Sequence, residues 1–208
     1  MNHLILAVED ELSCAAGHKI AKGMGWSVER VLMKNGKGYL KSNFHNFCNT
    51  AKHTAVLLLV DLNSSFPCAP SLLRKWAKGI PLPQLFFFRV AVREIESWLL
   101  ADHEAMRALL GNKGKLPIQP DTLKDPKREL LLLIKKVRKY VREDVVRLNN
   151  GMVSQGVAYN VTLAKWIEDH WLPERAAARS DSLNRLFVRL RSFDNDMTSD
   201  IRGGHDNG

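Results

Sequence analysis

The stretch Leu4-Ile-Leu-Ala-Val-Glu9 decides the class of fold, because a short, continuous apolar run ends directly in an acid. Continuous apolar runs are typical of parallel strands that are buried on both faces of a sheet. Thr54–Val60 and Gln84–Val90 have the same character, and Val28–Met33 is a less regular fourth run. The sequence therefore predicts an α/β protein with an open, mainly parallel sheet.

Helical patterns separate these runs, at Glu11–Gly23, Leu40–Ala51 and Ser71–Lys78. Connections of this length return each strand parallel to the last, so we expect helices on both faces of the sheet. From Arg93 onward the pattern is helical, and a linker rich in proline and glycine, Gly111–Pro126, interrupts it.

Three segments follow from this organisation. We predict an α/β domain over 1–110, a helical extension packed on it over 111–193, and a disordered tail over 194–208. The last segment is polar and rich in glycine, so it has little apolar surface to bury.

Composition indicates the cellular compartment and the kind of partner that we expect for this protein. The three cysteines of the 208 residues form no CxxC pair, and the first residues lack the features of a signal peptide, so we expect a cytoplasmic protein. The longest apolar run, Ala55–Val60, has six residues, whereas a membrane helix needs roughly 20. The formal charge of +9 favours contact with nucleic acid. No feature specifies an oligomeric state.

Acids follow two of the predicted strands directly, Glu9 after the first and Asp61 after the third. Because the carboxyl ends of parallel strands meet at one edge, we expect the two carboxylates to share a site there for Mg²⁺ or Mn²⁺. The alternative is that they only begin the next helix, where negative charge is favourable. For Asp10 and Glu11 we favour that alternative.

Other side chains belong to the same predicted edge. Lys34 and Lys37 lie in a basic, glycine-containing loop, 34–41, that is compatible with a phosphate contact or with a solvated turn. Arg89 is a further candidate for phosphate binding. Glu94 is a possible additional acid, with a salt-bridged helix start as its alternative.

Several enzyme classes lack their motif in this sequence. The histidines form neither HxH nor HExxH, and neither GxSxG nor GxxxxGK[ST] occurs. Zincin, serine-hydrolase and P-loop ATPase functions therefore have no support. A nucleotide-binding function with the loop 34–41 as the phosphate site is a minor alternative, because that loop lacks the full GxGxxG pattern.

Six short motifs follow one another between about residues 3 and 193: LAVEDELS, VDLN, VREIESWLLAD, DPKREL, GVAYN and PERAAARSDSLNRL. Together they resemble a bacterial family with a TOPRIM-like (topoisomerase-primase) domain. The resemblance implies a divalent metal held by Glu9, Asp61 and Asn63, with Glu9 also able to transfer a proton. TOPRIM domains carry a second aspartate where this chain has Asn63, and the lost charge should weaken the metal site.

The resemblance implies two alternative functions. The first is a Mg²⁺- or Mn²⁺-dependent nuclease, distantly similar to the nuclease module of OLD-type proteins. Those proteins also contain an ATPase module, which this chain lacks, so a separate ATPase partner and a role in defence against phage would follow. The second is a non-catalytic interaction module with a degenerate metal site.

Overall fold

The computed structural model describes residues 2–34, 36–62, 66–111, 113–137, 145–149 and 152–203, and for 194–203 it describes the backbone alone. The strands are β1 (Asn2–Val8), β2 (Trp26–Met33), β3 (Ala55–Asp61), β4 (Phe86–Ala91), β5 (Val146–Asn149) and β6 (Met152–Gln155). The α-helices are α1 (Glu11–Gly23), α2 (Lys37–Ser42), α3 (Phe44–Thr50), α4 (Ala69–Ala77), α5 (Ile95–Ala101), α6 (His103–Leu110), α7 (Pro126–Ile134), α8 (Tyr159–His170), α9 (Pro173–Ala177) and α10 (Asp181–Gly203). A short 3-10 helix spans Pro120–Thr122.

The first four strands form one sheet in the order β2-β1-β3-β4, and all of its neighbours pair in parallel. This confirms the α/β class and the parallel sheet. The chain moves from β1 to β2 on one side and then returns to β3 on the other side of β1. Because parallel crossovers are right-handed, this reversal places the connecting helices on opposite faces.

Each face of the sheet carries its own apolar cluster, since successive side chains of a strand point to opposite faces. In β3, Val56 and Leu58 belong to the cluster formed with α2, α3 and α4. Leu57 and Leu59 belong to the other cluster, which contains α1 and the helices of the second half. Helices on both faces are thereby confirmed.

The second half differs from the purely helical expectation at one place. Strands β5 and β6 form an antiparallel hairpin. Each strand has only four residues, and most of them are exposed. Such short strands are stabilised by hydrogen bonds to each other and by packing, so they leave no hydrophobic period that a sequence pattern could reveal.

The basic segment after β2 also differs from the expected loop. Residues 37–41 form most of α2, and the helix expected over Leu40–Ala51 consists of α2 and α3 with Asn43 between them. Gly36 precedes α2 with a φ of 93°, which only glycine adopts readily. Leu40 is fully buried, so packing stabilises this short helix.

Helix α10 continues to Gly203, whereas the sequence predicted a disordered tail from residue 194. The apolar stripe ends near Phe193, so no packing signal marks the later residues. A helix adds one backbone hydrogen bond for each further residue, and it can therefore extend beyond its packed face. Across the described residues, no helix combines the length and the apolar character that crossing a membrane requires.

Candidate functional site

Glu9 and Asp61 meet where the sheet reverses its direction of winding. Glu9 directly follows β1, and Asp61 is the last residue of the neighbouring strand β3. The Asp61 backbone N–H donates a hydrogen bond of 3.1 Å to Glu9 Oε1. In open α/β sheets, ligands bind in the crevice outside the strand ends at such a switch point. The two acids thus lie together at the position where this fold class places its ligands.

Asp61 also contacts the helix that follows β4. Its Oδ1 accepts a hydrogen bond of 3.0 Å from the backbone N–H of Ile95, the first residue of α5. The first N–H groups of a helix have no partner within the helix, and a carboxylate satisfies one of them. Asp61 therefore joins β3 to α5 through one oxygen, and no hydrogen bond from the described residues reaches its Oδ2.

Two further glutamates, Glu94 and Glu96, lie near this pair at the turn into α5. We call the site formed by Glu9, Asp61, Glu94 and Glu96 the crevice. Glu94, the additional acid expected from the sequence, accepts a hydrogen bond of 3.0 Å from the Lys127 backbone N–H at the start of α7. Glu96 is 1% exposed, and its Oε1 accepts a hydrogen bond of 2.8 Å from the Tyr159 hydroxyl. Lys127 Nζ lies 3.4 Å from the same oxygen. Glu96 Oε2 is buried and has no hydrogen-bond partner among the described residues.

Lys37 closes another side of the crevice. Its Nζ donates to the backbone carbonyl of Asp61 and lies 3.5 Å from that of Leu62. Burial lowers the pKa of Lys37, while the negative charges of Glu9 and Asp61 oppose that decrease. Lys37, one of the two lysines that the sequence assigned to phosphate binding, thus contacts the end of β3.

Burial, together with neighbouring negative charge, raises the pKa values of Asp61, Glu9 and Glu96. Burial raises the pKa of Asp61 well above its ordinary value. The neighbouring negative charges raise it further, in the order Glu96, Glu9, Asp10 and Glu94. Burial also raises the pKa of Glu9 and of Glu96, although nearby lysines oppose the increase. Carboxylates gathered in this way favour the entry of a cation or a proton.

Asp10 and Glu11 begin helix α1, as the sequence indicated. Asp10 Oδ1 accepts a hydrogen bond of 2.8 Å from the Ser13 backbone N–H, which is the usual contact of an N-terminal capping residue. Glu11 is exposed in the first turn. The helix-start interpretation is confirmed for both residues.

The other residues assigned from the sequence lie elsewhere. Lys34 is exposed, with its Nζ 5.2 Å from the centre of the Tyr39 ring. Arg89 donates to a backbone carbonyl of its own strand, and burial together with Arg189 lowers its pKa to about 10. Within the described residues, neither Lys34 nor Arg89 makes an ion pair with the acids of the crevice. Asn63 lies outside the described residues.

The crevice offers oxygen ligands of the kind that Mg²⁺ prefers. This ion usually keeps several waters and binds proteins through one or two carboxylates together with substrate phosphates. Glu9 and Asp61 supply such a pair, and Glu96 Oε2 is a buried carboxylate oxygen without a partner. In the part of the chain that the structure describes, no three His, Cys, Asp or Glu side chains are arranged to hold an ion alone.

The sequence reasoning did not assign Glu96, Lys127 and Tyr159 to the site. A signal existed for Glu96, because it is the one charged residue of the segment Ile95–Ala101, which is otherwise apolar apart from Ser97. All seven residues of this helix are buried. A charge inside a helix that is buried all round calls for a partner or a function. Lys127 and Tyr159 lie in the motifs DPKREL and GVAYN, but only the packing of α7 and α8 shows that they reach Glu96.

No family model, curated protein or solved structure matches the chain significantly. The fold and the crevice nevertheless define a class: an α/β protein with an all-parallel sheet and an acidic crevice at its switch point. Because one fold can host many functions, the function has to be argued from the crevice itself.

Proposed function

We propose that this chain is an enzyme that cleaves phosphodiester bonds of nucleic acid with the help of Mg²⁺ or Mn²⁺. The observation that carries the proposal is the hydrogen-bonded pair of Glu9 and Asp61 at the switch point. Three more carboxylates raise the pKa of Asp61. Acids of like charge that are buried, as Glu96 is, or half-buried, as the others are, destabilise a fold. Their presence at a ligand-binding edge therefore favours a functional reason for them.

The residues of the crevice would have distinct roles. Glu9 and Asp61 would hold the ion, with Glu94 as an additional acid. A divalent ion at this place supplies positive charge to phosphate oxygens and lowers the pKa of water. Glu9 is suited to accept a proton from the attacking water, because burial raises its pKa and a base works best when its pKa lies near the working pH.

The charge of the whole protein supports a polyanionic substrate. The chain carries a formal charge of +9, although the crevice itself is acidic. Positive charge outside the crevice attracts a nucleic-acid backbone, and the acids inside it then need a cation to accept a phosphate. Lys37 and Lys127 already lie beside the acids and reduce their repulsion of the backbone.

The motifs LAVEDELS, VDLN and VREIESWLLAD support the more specific proposal that the domain is TOPRIM-like. In that case Asn63 stands where a second aspartate is usual, and a weakened ion site is part of the proposal. The resemblance to OLD-type proteins extends it to a cytoplasmic nuclease that acts against foreign DNA together with a separate ATPase.

Nuclease assays on plasmid and single-stranded DNA test this function, with Mg²⁺ or Mn²⁺, and with and without an ATPase encoded next to this protein. We expect metal-dependent cleavage that Glu9→Gln reduces by about 10²–10⁴-fold, the usual contribution of a general base. Asp61→Asn should also reduce it, because the change removes a negative charge from the ion site. Glu29→Gln is the matched control, because Glu29 is 54% exposed on β2 and pairs with His3. Cleavage that survives in the Glu9, Asp61 double variant would refute the proposal.

A non-catalytic interaction module is the second candidate, and one observation favours it. Lys37 and Lys127 already neutralise part of the crevice without any ion. If this neutralisation suffices, Mg²⁺ and Mn²⁺ will not change the melting temperature. A binding ion at a hundredfold excess over its Kd adds about 2.7 kcal/mol, or roughly 5–10 °C in a chain of this length. A metal titration followed by thermal unfolding separates the two candidates.

A further inference from the structure

Lys127 holds a distinctive position at the start of α7. Its Nζ lies 3.4 Å from Glu96 Oε1 and 5.8 Å from the centre of the Tyr159 ring. The side chain is 33% exposed, whereas Glu96 is 1% exposed and Tyr159 is fully buried. The side chain of Lys127 is therefore partly open to solvent, whereas Glu96 and Tyr159, which hold its ammonium group, are buried.

Burying the carboxylate of Glu96 and the ammonium group of Lys127 costs free energy. Removing a carboxylate and an ammonium from water costs several kcal/mol for each ion, and apolar residues in their place are often as stable or more stable. The Tyr159 hydroxyl donates a hydrogen bond of 2.8 Å to Glu96, which limits this cost and restricts the position of the carboxylate. The contacts of Glu96 and Tyr159 therefore fix the position of the Lys127 charge, and they contribute less to the stability of the fold.

The charge of Lys127 acts directly on the proposed ion site. It opposes the increase in the pKa of Glu9, and Asp61 is among the acids that raise the pKa of Lys127 itself. The Lys127 backbone N–H is bound by Glu94, so the start of α7 is attached to the crevice. The ammonium group has three donors, and among the described residues its ion pair is with Glu96, so it can also donate to an incoming anion.

The cations chosen from the sequence are placed differently. Lys37 donates to backbone carbonyls at the end of β3, and Arg89 donates to a carbonyl of β4. Lys34 lies over the ring of Tyr39, and no ion pair joins it to the acids within the described residues. Lys127 combines partial exposure, a fixed support and closeness to the acids.

We propose that Lys127 contacts a phosphate oxygen of the nucleic-acid backbone at the crevice, and that Glu96 and Tyr159 are positioning residues that hold its ammonium group. The inference rests on the proposed function, because it names how that site would take its substrate. It assigns the phosphate contact to a residue of the second half of the chain, outside the segment 1–110 that carries Glu9 and Asp61.

Binding of a fluorescently labelled single-stranded DNA tests the phosphate contact without requiring cleavage. Fluorescence anisotropy in Ca²⁺, at increasing salt, gives the dependence of affinity on salt. One phosphate contact contributes about 0.7 to that slope for single strands. We expect Lys127→Met to weaken binding and reduce the slope by about 0.7, and Lys127→Arg to restore most of it because the charge is kept.

Lys124→Met is the matched control, because Lys124 is an exposed lysine in the segment just before α7. We expect it to leave the slope nearly unchanged. An equal change in both variants, or no change in Lys127→Met, would overturn the proposal.

A double-mutant cycle tests the positioning role. If Tyr159 acts on DNA through Lys127, Tyr159→Phe weakens DNA binding in the wild-type background and has no further effect in Lys127→Met. A purely structural role would give the same loss in both backgrounds and would overturn the positioning role.

The two proposals can fail separately. Binding that depends on Lys127, without cleavage under any condition, would refute the proposed catalysis and keep the phosphate contact. Metal-dependent cleavage with an unchanged salt slope in Lys127→Met would refute the contact and keep the catalysis. A wild-type protein that binds no DNA would overturn the inference.

Discussion

Replacing Tyr159 by phenylalanine removes one hydroxyl group from the buried side of the crevice and leaves the ring in place. That hydroxyl donates a hydrogen bond of 2.8 Å to Glu96, which is 1% exposed. Hydrogen bonds to charged groups contribute about 1.5–3 kcal/mol. We therefore expect the free energy of unfolding to fall by this amount at neutral pH, which corresponds to about 3–12 °C in Tm for a chain of this length.

The loss should depend on pH because Glu96 titrates. Burial raises the pKa of Glu96 above 4.5, while the bond from Tyr159 lowers it. Below that pKa the carboxyl group is neutral, and a hydrogen bond between neutral groups contributes about 1 kcal/mol. The bond favours the charged carboxylate, so the loss caused by Tyr159→Phe is largest above the pKa of Glu96 and shrinks as the pH falls through it.

Urea unfolding followed by tryptophan fluorescence measures this loss at neutral and at acidic pH. Tyr39→Phe is the matched control, because Tyr39 is half-buried and its hydroxyl makes no hydrogen bond with the described residues. We expect the control to change the free energy of unfolding by less than about 0.5 kcal/mol. Equal losses in the two variants, or a loss in Tyr159→Phe that does not change with pH, would refute the reasoning.

Two further predictions concern Asp61, which is half-buried, and Asp102, which is fully buried. Asp61→Asn should stabilise the metal-free protein at neutral pH. It removes a carboxyl group whose pKa is raised by burial, and it keeps an oxygen that can accept the hydrogen bond from the Ile95 N–H. The gain should vanish below the ordinary pKa of 3.8, where the carboxyl is protonated in the folded and the unfolded chain, and it should grow as the pH rises. Thermal unfolding across pH measures this gain, and equal Tm values of the two proteins at neutral pH would contradict the prediction. Asp102→Ala should cost about 3 kcal/mol in urea unfolding, because this fully buried carboxylate accepts hydrogen bonds from the Leu172 N–H and from Arg175. A loss below about 1 kcal/mol would contradict this value.

The strands of the sheet were predictable because their signal is local. A strand that is buried on both faces must be apolar throughout, and Leu4–Val8 and Ala55–Val60 show this directly. The hairpin of β5 and β6 was not predictable, because its short strands are mostly exposed and are stabilised through contacts with each other. The short helix α2 depends in the same way on the burial of Leu40.

The acidic crevice was predictable in part. Glu9 and Asp61 follow apolar strands, and a parallel sheet brings strand ends to one edge. The order of the strands, which makes β1 and β3 neighbours, is a property of the whole sheet and has no local signal. The sequence pattern also suggested Lys34 and Arg89 as phosphate contacts, although both make their described contacts away from the acids.

By itself, the sequence determined the α/β class, the principal strands and the two acids at their ends, because burial and chain direction are visible in runs of neighbouring residues. Only the tertiary structure decided that Glu96, Lys127 and Tyr159 join those acids. The three residues come from α5, α7 and α8, and only packing between distant segments brings them within hydrogen-bonding and ion-pair distance. Each of them lies in a different sequence motif, but the contact between them depends on the fold as a whole, so the motifs alone do not show it.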